Sequence, residues 1–209
     1  MSEIKIGRIT LGMCQTNTYF LYRQDTKEAI VFDPADRGEY LFEKLSDNGL
    51  KVGAVLLTHG HFDHIWGVDK LKELTGAKVY ASEDEASLLK SASKNCSKGC
   101  GRPCEIVPDV LLKDNETVTL CDITIKAIKT PGHTEGGMSY YIEEAGFLIS
   151  GDTLFSGSVG RTDLPTGSMS TLIRSIKDKL MVLPDDTKVY PGHGDSTTIF
   201  GERNYNPFL

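Results

Sequence analysis

The sequence predicts an α/β protein in which two β-sheets pack face to face and helices cover their outer sides. Two observations support this prediction. Strand-like and helix-like segments come in two comparable sets, one in each half of the 209 residues, and each set begins with strands. No linker, low-complexity segment or short-period repeat separates the two halves. We therefore expect a single domain over residues 1–209.

The first set of elements occupies the first 90 residues. Apolar or alternating runs predict strands over residues 3–9, 17–23, 28–33, 51–58 and 77–82. Helical spacing of apolar residues predicts helices over residues 37–49, 63–74 and 82–90. Leu41 and Leu45 illustrate this spacing, and Gly49 and Gly76 are typical residues at which helices stop.

The second set begins again with strands. Similar runs predict strands over residues 117–120, 123–130, 138–144, 146–150 and 187–194. A helix is predicted from Ser168, a favourable N-cap, because Leu172, Ile176 and Leu180 recur every four residues on one face. A short helix is expected near the C-terminus.

Composition and charge exclude several classes of function. Lys and Arg number 23 against 29 Asp and Glu, a net charge of −6, which argues against a nucleic-acid partner. The N-terminal residues contain no apolar stretch of signal-peptide length, and no window approaches the roughly 18 apolar residues of a membrane span. We expect a cytoplasmic protein with no membrane partner.

The five cysteines form an odd number in a chain without a secretion signal, which indicates free thiols. Cys96, Cys100 and Cys104 are spaced C-x3-C-x3-C, which does not match the usual zinc-binding pairs. We interpret them as small buried thiols in a loop and exclude all the cysteines from the site.

The segment THGHFDH directly follows a predicted buried strand and contains three of the five histidines. His59 and His61 are two residues apart in an extended turn, so both rings can reach one cation. Asp63 and His64 follow at the start of a helix and point to a neighbouring position. Imidazole and carboxylate without thiolate are typical of catalytic zinc sites, with iron or manganese as alternatives.

The two remaining histidines and one further aspartate also follow predicted strands. His133 lies in TPGHTEGG, Asp152 in SGDTLF and His193 in YPGHGD. Each comes at the carboxyl end of its strand, where loops on a rigid scaffold can assemble a site. All five histidines of the chain are thereby assigned to a metal site.

The motifs THGHFDH, PGHTEGG, GDTLF and PGHG, in this order, resemble those of the metallo-β-lactamase superfamily over nearly the whole chain. The resemblance implies a four-layer αββα sandwich that binds two divalent metal ions, most often zinc. It implies one ion bound by His59, His61 and His133. The other would be bound by Asp63, His64 and His193, and Asp152 would bridge the two. Asp63 and Asp152 are accordingly the expected catalytic carboxylates.

Within that superfamily, the segment GDTLFSGSVGRTDLPTGS is similar to glyoxalase II-like hydrolases, the hydroxyacylglutathione hydrolase group. This similarity implies hydrolysis of small thioesters such as S-lactoylglutathione by a metal-bridging hydroxide. Arg161 aligns with a cation that in this group engages the glycine carboxylate of glutathione, although Asp163 stands where the group has an aromatic residue. The chain ends at residue 209, without the C-terminal helical domain of full-length glyoxalase II.

Other functions are compatible with parts of this pattern. A mononuclear-iron, persulfide dioxygenase-like oxidoreductase on the same fold also carries a GRTD-type loop, but the complete second ligand set favours a dinuclear hydrolase. A catalytically silent binding module is disfavoured because no ligand position is lost. Asp33 is interpreted as a turn residue before Pro34, and Asn17 and Tyr19 as turn and sheet residues. The oligomeric state is left open.

Overall fold

Two six-stranded β-sheets form the centre of the computed structural model, which describes residues 2–209. The first sheet has the strand order β1-β2-β3-β4-β5-β6. Its strands are β1 (Ile4–Leu11), β2 (Thr16–Arg23), β3 (Glu28–Phe32), β4 (Lys51–Leu56), β5 (Lys78–Ser82) and β6 (Val110–Leu112). The first three strands pair antiparallel, and β3 to β6 run parallel.

The second sheet has the strand order β14-β13-β10-β9-β8-β7. Its strands are β7 (Thr117–Leu120), β8 (Ile123–Lys129), β9 (Met138–Ile142), β10 (Phe147–Gly151), β13 (Lys188–Pro191) and β14 (Thr197–Thr198). A short hairpin of β11 (Leu154–Phe155) and β12 (Ser158–Val159) follows β10. Strands β10 and β13 are parallel, so the loops after them emerge at the same edge of the sheet.

Helices cover the outer face of each sheet. They are α1 (Gly38–Asp47), α2 (Phe62–Ile65), α3 (Val68–Thr75), α4 (Ala86–Leu89), α5 (Met169–Ser175) and α6 (Ile199–Tyr205). A π-helical segment, Ile176–Leu180, extends α5. Ser168 caps α5 as predicted, because its side chain accepts a hydrogen bond from the Thr171 N–H. None of the helices within residues 2–209 combines the length and apolar character needed to cross a bilayer.

Three apolar clusters bind these layers together. Side chains from the facing sides of both sheets, such as Phe32 and Tyr140, form the central cluster. Leu41 of α1 and Leu71 of α3 pack on the outer face of the first sheet, and Leu172 of α5 packs on that of the second. Strands covered on both faces read as continuous apolar runs, as β3 does. The predicted αββα sandwich is confirmed.

The helix predicted over residues 63–74 is interrupted, and the interruption has a steric cause. It forms two helices, α2 and α3, separated at Gly67. The Gly67 N–H donates to the Pro34 carbonyl oxygen at 2.8 Å, and a Cβ at Gly67 would lie 2.8 Å from that same oxygen. The chain can therefore approach the end of β3 only with glycine at this position. Strands β6, β11, β12 and β14 were not predicted, because each has only two or three residues.

Candidate metal centre

All seven residues predicted as metal ligands lie at one edge of the sandwich, in loops that follow strands of both sheets. The loop after β4 carries His59 and His61, and α2 carries Asp63 and His64. The loops after β8, β10 and β13 carry His133, Asp152 and His193. Hydrogen bonds from the Met138 N–H to the Thr58 carbonyl and from the Tyr140 hydroxyl to the Leu57 carbonyl, both 2.8 Å long, join the two sheets at this edge.

Three buried imidazoles form what we call the first group, His59, His61 and His133. The His61 Nδ1 lies 2.9 Å from the His133 Nε2, which in turn lies 3.2 Å from the His59 Nε2. Three ring nitrogens thus converge on one point.

Asp63, His64 and His193 form the second group. The Asp63 Oδ2 lies 3.3 Å from the His193 Nε2 and 3.7 Å from the His64 Nε2. This group is more open than the first, since His193 keeps 30% of its side-chain surface exposed while His64 is fully buried. The Thr16 hydroxyl donates to the Asp63 Oδ2 at 2.9 Å.

The Asp152 carboxylate lies between the two groups. Its Oδ1 is 3.4 Å from the His64 Nε2, and its Oδ2 is 3.4 Å from the His193 Nε2 and 3.7 Å from the His133 Nε2. It is the one carboxylate of the centre that approaches both groups, which is the placement expected for a bridging ligand.

The outward nitrogens of four histidines have hydrogen-bond partners, and these partners define the tautomers. The acceptors for the Nδ1–H groups are the Thr58 hydroxyl for His59, Asp33 for His64, the Arg161 carbonyl for His133 and the Cys14 carbonyl for His193. With the Nδ1–H directed at an acceptor, each Nε2 faces the centre, where it can bind a cation in place of a proton. This arrangement is typical of metal-binding histidines.

The donors of the centre fit divalent cations. Among the residues described, the buried His64 Nε2 and Asp152 Oδ1 have no hydrogen-bond partner, although they face each other at 3.4 Å. In the first group the ring nitrogens approach each other to 2.9 and 3.2 Å, which arranges three donor atoms around a position that one cation can occupy. Imidazole and carboxylate donors suit zinc and also iron or manganese.

Two rings of the first group, those of His59 and His61, are uncharged. Burial lowers the pKa of His59 well below its usual value, and the neighbouring imidazoles lower it further. Burial, together with the charge of His133, lowers the pKa of His61 to about 3. Both rings therefore keep free lone pairs at neutral pH.

The second group carries compensating charges. Burial lowers the pKa of His193, but hydrogen bonds with Asp152 and Asp63 outweigh this and raise it to about 9. Burial also lowers the pKa of His64, but the charges of Asp152 and Asp63 outweigh this effect and raise it well above the usual value. Burial favours the neutral form of Asp63, yet the His64 charge and the His193 hydrogen bond lower its pKa to about 2.

Asp33 has a role that the sequence interpretation missed. It is 2% exposed, and its carboxylate accepts hydrogen bonds from the Thr58 N–H at 2.7 Å, the Thr58 hydroxyl at 2.6 Å and the His64 Nδ1–H at 2.9 Å. Treating it only as a turn residue was wrong, since it orients His64 directly and His59 through Thr58. Asp33 lies close enough to His59 and His64 to share a cation, but its oxygens already accept these three bonds.

Asn17 and Tyr19 are sheet residues, as interpreted, and they hold the loop of His193. The Asn17 side-chain amide donates to the carbonyls of Pro191 and Gly194 at 3.0 and 2.9 Å, and the Tyr19 hydroxyl donates to Pro191 at 3.0 Å. Neither residue lines the pocket beside the centre.

A pocket of about 420 Å³ opens over the metal-binding side chains. Its apolar wall includes Phe62, Phe155, Val159 and Leu164, and Arg161 also lines it. The Arg161 guanidinium donates from Nε and Nη2 to the two oxygens of Asp163, both at 2.7 Å, so the predicted substrate-binding cation is already paired.

Two cysteines, Cys14 and Cys96, also line this pocket. Burial raises the pKa of both thiols, and the charge of Asp63 raises that of Cys14 further, so both stay protonated at neutral pH. The groups within residues 2–209 that are close enough to share a metal ion contain no cysteine. The expectation that Cys96, Cys100 and Cys104 are buried was wrong, since Cys100 is exposed and the other two are partly exposed.

Comparisons with known proteins identify the family. The Metallo-beta-lactamase superfamily model matches residues 11–193. The probable metallo-hydrolase YqgX of Bacillus subtilis is 39% identical over 209 residues, covering 99% of this chain and 98% of the relative. The hydroxyacylglutathione hydrolase GloC of Haemophilus influenzae is 35% identical over 188 residues, covering 88% of this chain and 89% of the relative.

Solved structures show the same fold. The crystal structure of the BLEG-1 B3 metallo-beta-lactamase is 41% identical with a TM-score of 0.94, covering 98% of this chain and 99% of that one. TTHA1623 in a di-iron-bound form is 33% identical with a TM-score of 0.87, covering 97% of this chain and 100% of that one. ETHE1 from Myxococcus xanthus is 28% identical with a TM-score of 0.82, covering 97% and 83%. The chain belongs to the metallo-beta-lactamase superfamily.

Proposed function

We propose that this protein hydrolyses small thioesters of the S-lactoylglutathione type at a centre that binds two divalent cations, with zinc as the preferred ion. The observation that carries the proposal is the convergence of two groups of donors on one carboxylate, Asp152. In this proposal the first group binds one ion, the second group binds the other, and Asp152 contacts both.

The similarity to GloC supports the choice of substrate class. That relative is named a hydroxyacylglutathione hydrolase, and this chain covers 89% of its length. The pocket lies directly over the centre, and its apolar wall of Phe62, Phe155, Val159 and Leu164 suits the carbon chain of an acyl thioester.

The chemistry divides between the bound ions and the side chains. Divalent cations in such a site generate a nucleophile from water at neutral pH and polarise the carbonyl that it attacks. Asp63 is proposed as a weak proton acceptor at the pocket wall, where the Thr16 hydroxyl holds its Oδ2 and its low pKa keeps it ionised. A thiol with an ordinary pKa of about 8.5 leaves readily as thiolate, so the pocket needs no dedicated acid.

Arg161 is the proposed contact for a substrate carboxylate. Its planar guanidinium already makes a two-pronged bond with Asp163, and a substrate carboxylate would compete for the same N–H groups. Both side chains are largely exposed, so the pair can open without loss of buried contacts.

A second candidate is a mononuclear-iron, persulfide dioxygenase-like oxidoreductase on the same fold. The first group supports it, because His59, His61 and His133 can bind one ion on their own, and imidazole suits iron as well as zinc. The similar structure of TTHA1623 was solved in a di-iron-bound form, which makes iron a realistic rival to zinc.

Metal analysis combined with a substrate panel distinguishes the candidates. Protein purified without added metal is analysed for the identity and number of ions, then assayed with S-lactoylglutathione, with glutathione persulfide under oxygen, and with a β-lactam. We expect two ions per chain and chelator-sensitive loss of the thioester absorbance. One iron with persulfide-dependent oxygen uptake supports the oxidoreductase instead. A fully metallated protein that is inert toward a panel of thioesters refutes the proposal.

A further inference from the structure

A buried glutamate outside the metal-binding groups joins two loops of the centre. Glu85 is 1% exposed and ends the 3₁₀ turn Glu83–Glu85 after β5. Its Oε1 accepts a hydrogen bond from the Gly60 N–H at 2.8 Å. Its Oε2 accepts hydrogen bonds from the Thr134 hydroxyl at 3.0 Å and the Gly136 N–H at 2.9 Å.

These contacts connect the two segments that carry the first group. Gly60 separates His59 from His61, and Thr134 directly follows His133. The His59 loop belongs to the first sheet and the His133 loop to the second. A single carboxylate therefore spans the junction between the sheets at the point where the three imidazoles must converge.

The carboxylate is retained at an apolar position. Glu85 shares a helical face with the buried Leu88 and Leu89, and no basic side chain among the described residues pairs with it. Burial raises its pKa to about 7. Burying such a group costs free energy, and an apolar residue here would avoid that cost. A carboxylate is needed at this position because its two oxygens accept hydrogen bonds from three donors on two loops, which an apolar residue could not do.

Close packing on either side of Glu85 prevents the loops from sliding. A Cβ at Gly136 would lie 2.5 Å from the Glu85 Oε2, and a Cβ at Gly60 would lie 2.9 Å from the Leu89 Cγ. At Gly60 and Gly136 the loops therefore contact this segment through backbone alone, which is the shortest and stiffest connection available.

We propose that Glu85 is a positioning residue that sets the distance between the His59–His61 loop and His133, and thereby tunes how tightly the first group binds a cation. The inference rests on the proposed metal-binding role of the first group. It requires no direct contact between Glu85 and the ion, because hydrogen-bonded partners behind the ligands commonly control metal affinity.

The test uses Co²⁺ as the probe and the Glu85→Gln variant. Glutamine keeps the size of the side chain but replaces one acceptor with an NH₂ group that faces an N–H or hydroxyl donor. Of the two Co²⁺ ions expected to bind, the one that binds more tightly is the relevant one. We expect its affinity, measured by competition with a chelator, to fall about 10- to 100-fold in the variant. The visible Co²⁺ spectrum, which reports coordination geometry, should change as well.

Glu202→Gln is a matched control. Glu202 is 4% exposed and also accepts bonds from a backbone N–H, a hydroxyl and an amide, those of Gly157, Thr197 and Asn206. None of these partners adjoins a first-group histidine. Its substitution should lower the thermal midpoint but leave Co²⁺ affinity and spectrum as in the wild type.

A folded Glu85→Gln protein with wild-type Co²⁺ affinity and spectrum overturns the inference. If that variant does not fold, Thr134→Val decides, because it removes only one of the three donors. We expect a several-fold loss of affinity, and an unchanged value overturns the inference. Since no substrate is involved, a wild-type protein that binds Co²⁺ but cleaves no thioester refutes the proposed function and leaves this inference intact.

Discussion

The first and second groups differ in charge, in exposure and in what orients their side chains. The first group consists of three buried imidazoles, of which His59 and His61 are uncharged at neutral pH. The second contains the Asp63 carboxylate and two histidines that bind protons tightly in the absence of a cation. A cation therefore meets no competing proton at His59 and His61, whereas in the second group it must compete with protons.

The supports of the two groups differ as well. Glu85 joins the loops of the first group across the two sheets. The second group depends on β2, since Thr16 holds Asp63 and Asn17 holds the loop of His193. In the proposed centre, the ion position of the first group is therefore preformed, whereas the occupancy of the second responds to pH.

The largest effect is expected for Asp152→Ala. This change removes the carboxylate that approaches both groups and leaves two cations facing each other without a negative charge between them. The second ion should be lost first, and thioester hydrolysis should fall by more than the roughly 100-fold typical of residues behind metal ligands. Metal analysis and kcat/KM measure both. Two retained ions with near-normal turnover would rule out bridging, and His193→Ala serves as the single-ligand comparison.

The next prediction concerns pH. In the ion-free protein the pKa of His193 is raised to about 9, so between pH 6.5 and 9 an incoming cation displaces its proton. Affinity for the second ion should therefore rise about tenfold per pH unit for each proton displaced, and the contribution of His193 should level off above pH 9. The pKa of His61 is about 3, so affinity for the first ion should depend little on pH over this range.

Zinc calorimetry in buffers of different ionisation enthalpy counts the protons released. If the affinities for both ions depended equally on pH, the proposed difference between the two groups would be wrong.

A smaller and more selective effect is expected for Thr16→Val. It removes the hydroxyl that donates to the Asp63 Oδ2 and preserves the shape of the side chain. Affinity for the second ion should fall about tenfold, which is the lower end of the range for residues that hydrogen-bond to metal ligands. Affinity for the first ion should not change. Thr119→Val, which removes an exposed hydroxyl in β7, is the control. Loss of both ions together would mean that the two groups are not independent.

The smallest effect concerns the pocket wall. If Arg161 binds a substrate carboxylate, Arg161→Ala should raise KM several-fold for S-lactoylglutathione and leave an uncharged thioester of similar size unaffected. Asp163→Asn, which weakens a competitor for the same guanidinium, should lower KM for the charged substrate. Identical KM values for both substrates in all three proteins would leave the pair as a surface contact.

The metal-binding residues were predictable because their pattern is local. THGHFDH places four donors in one turn, and the other three follow apolar runs that predict strands. The structure brings all seven together, and their roles as ligands are part of the proposed function. The two sheets and their covering helices were predictable for the same reason, since each element has its own periodicity.

The supporting residues were not predictable, because their partners are distant in sequence. Asp33 and His64 are 31 residues apart, and Glu85 and Gly136 are 51 apart. In the acidic run SEDEA, Glu85 looks like a solvated residue at the start of a helix. Its position three and four residues before Leu88 and Leu89 is the available signal, since it places Glu85 on the apolar face. The break at Gly67 likewise depends on a contact with Pro34.

Two of the histidines are oriented by main-chain carbonyls, those of Arg161 and Cys14, whose side chains form part of the pocket wall. Any residue at position 161 or 14 still presents a carbonyl oxygen, so His133 and His193 keep their acceptors when these side chains change. The side chains of the pocket wall at these two positions can therefore change while the acceptors that orient His133 and His193 stay in place.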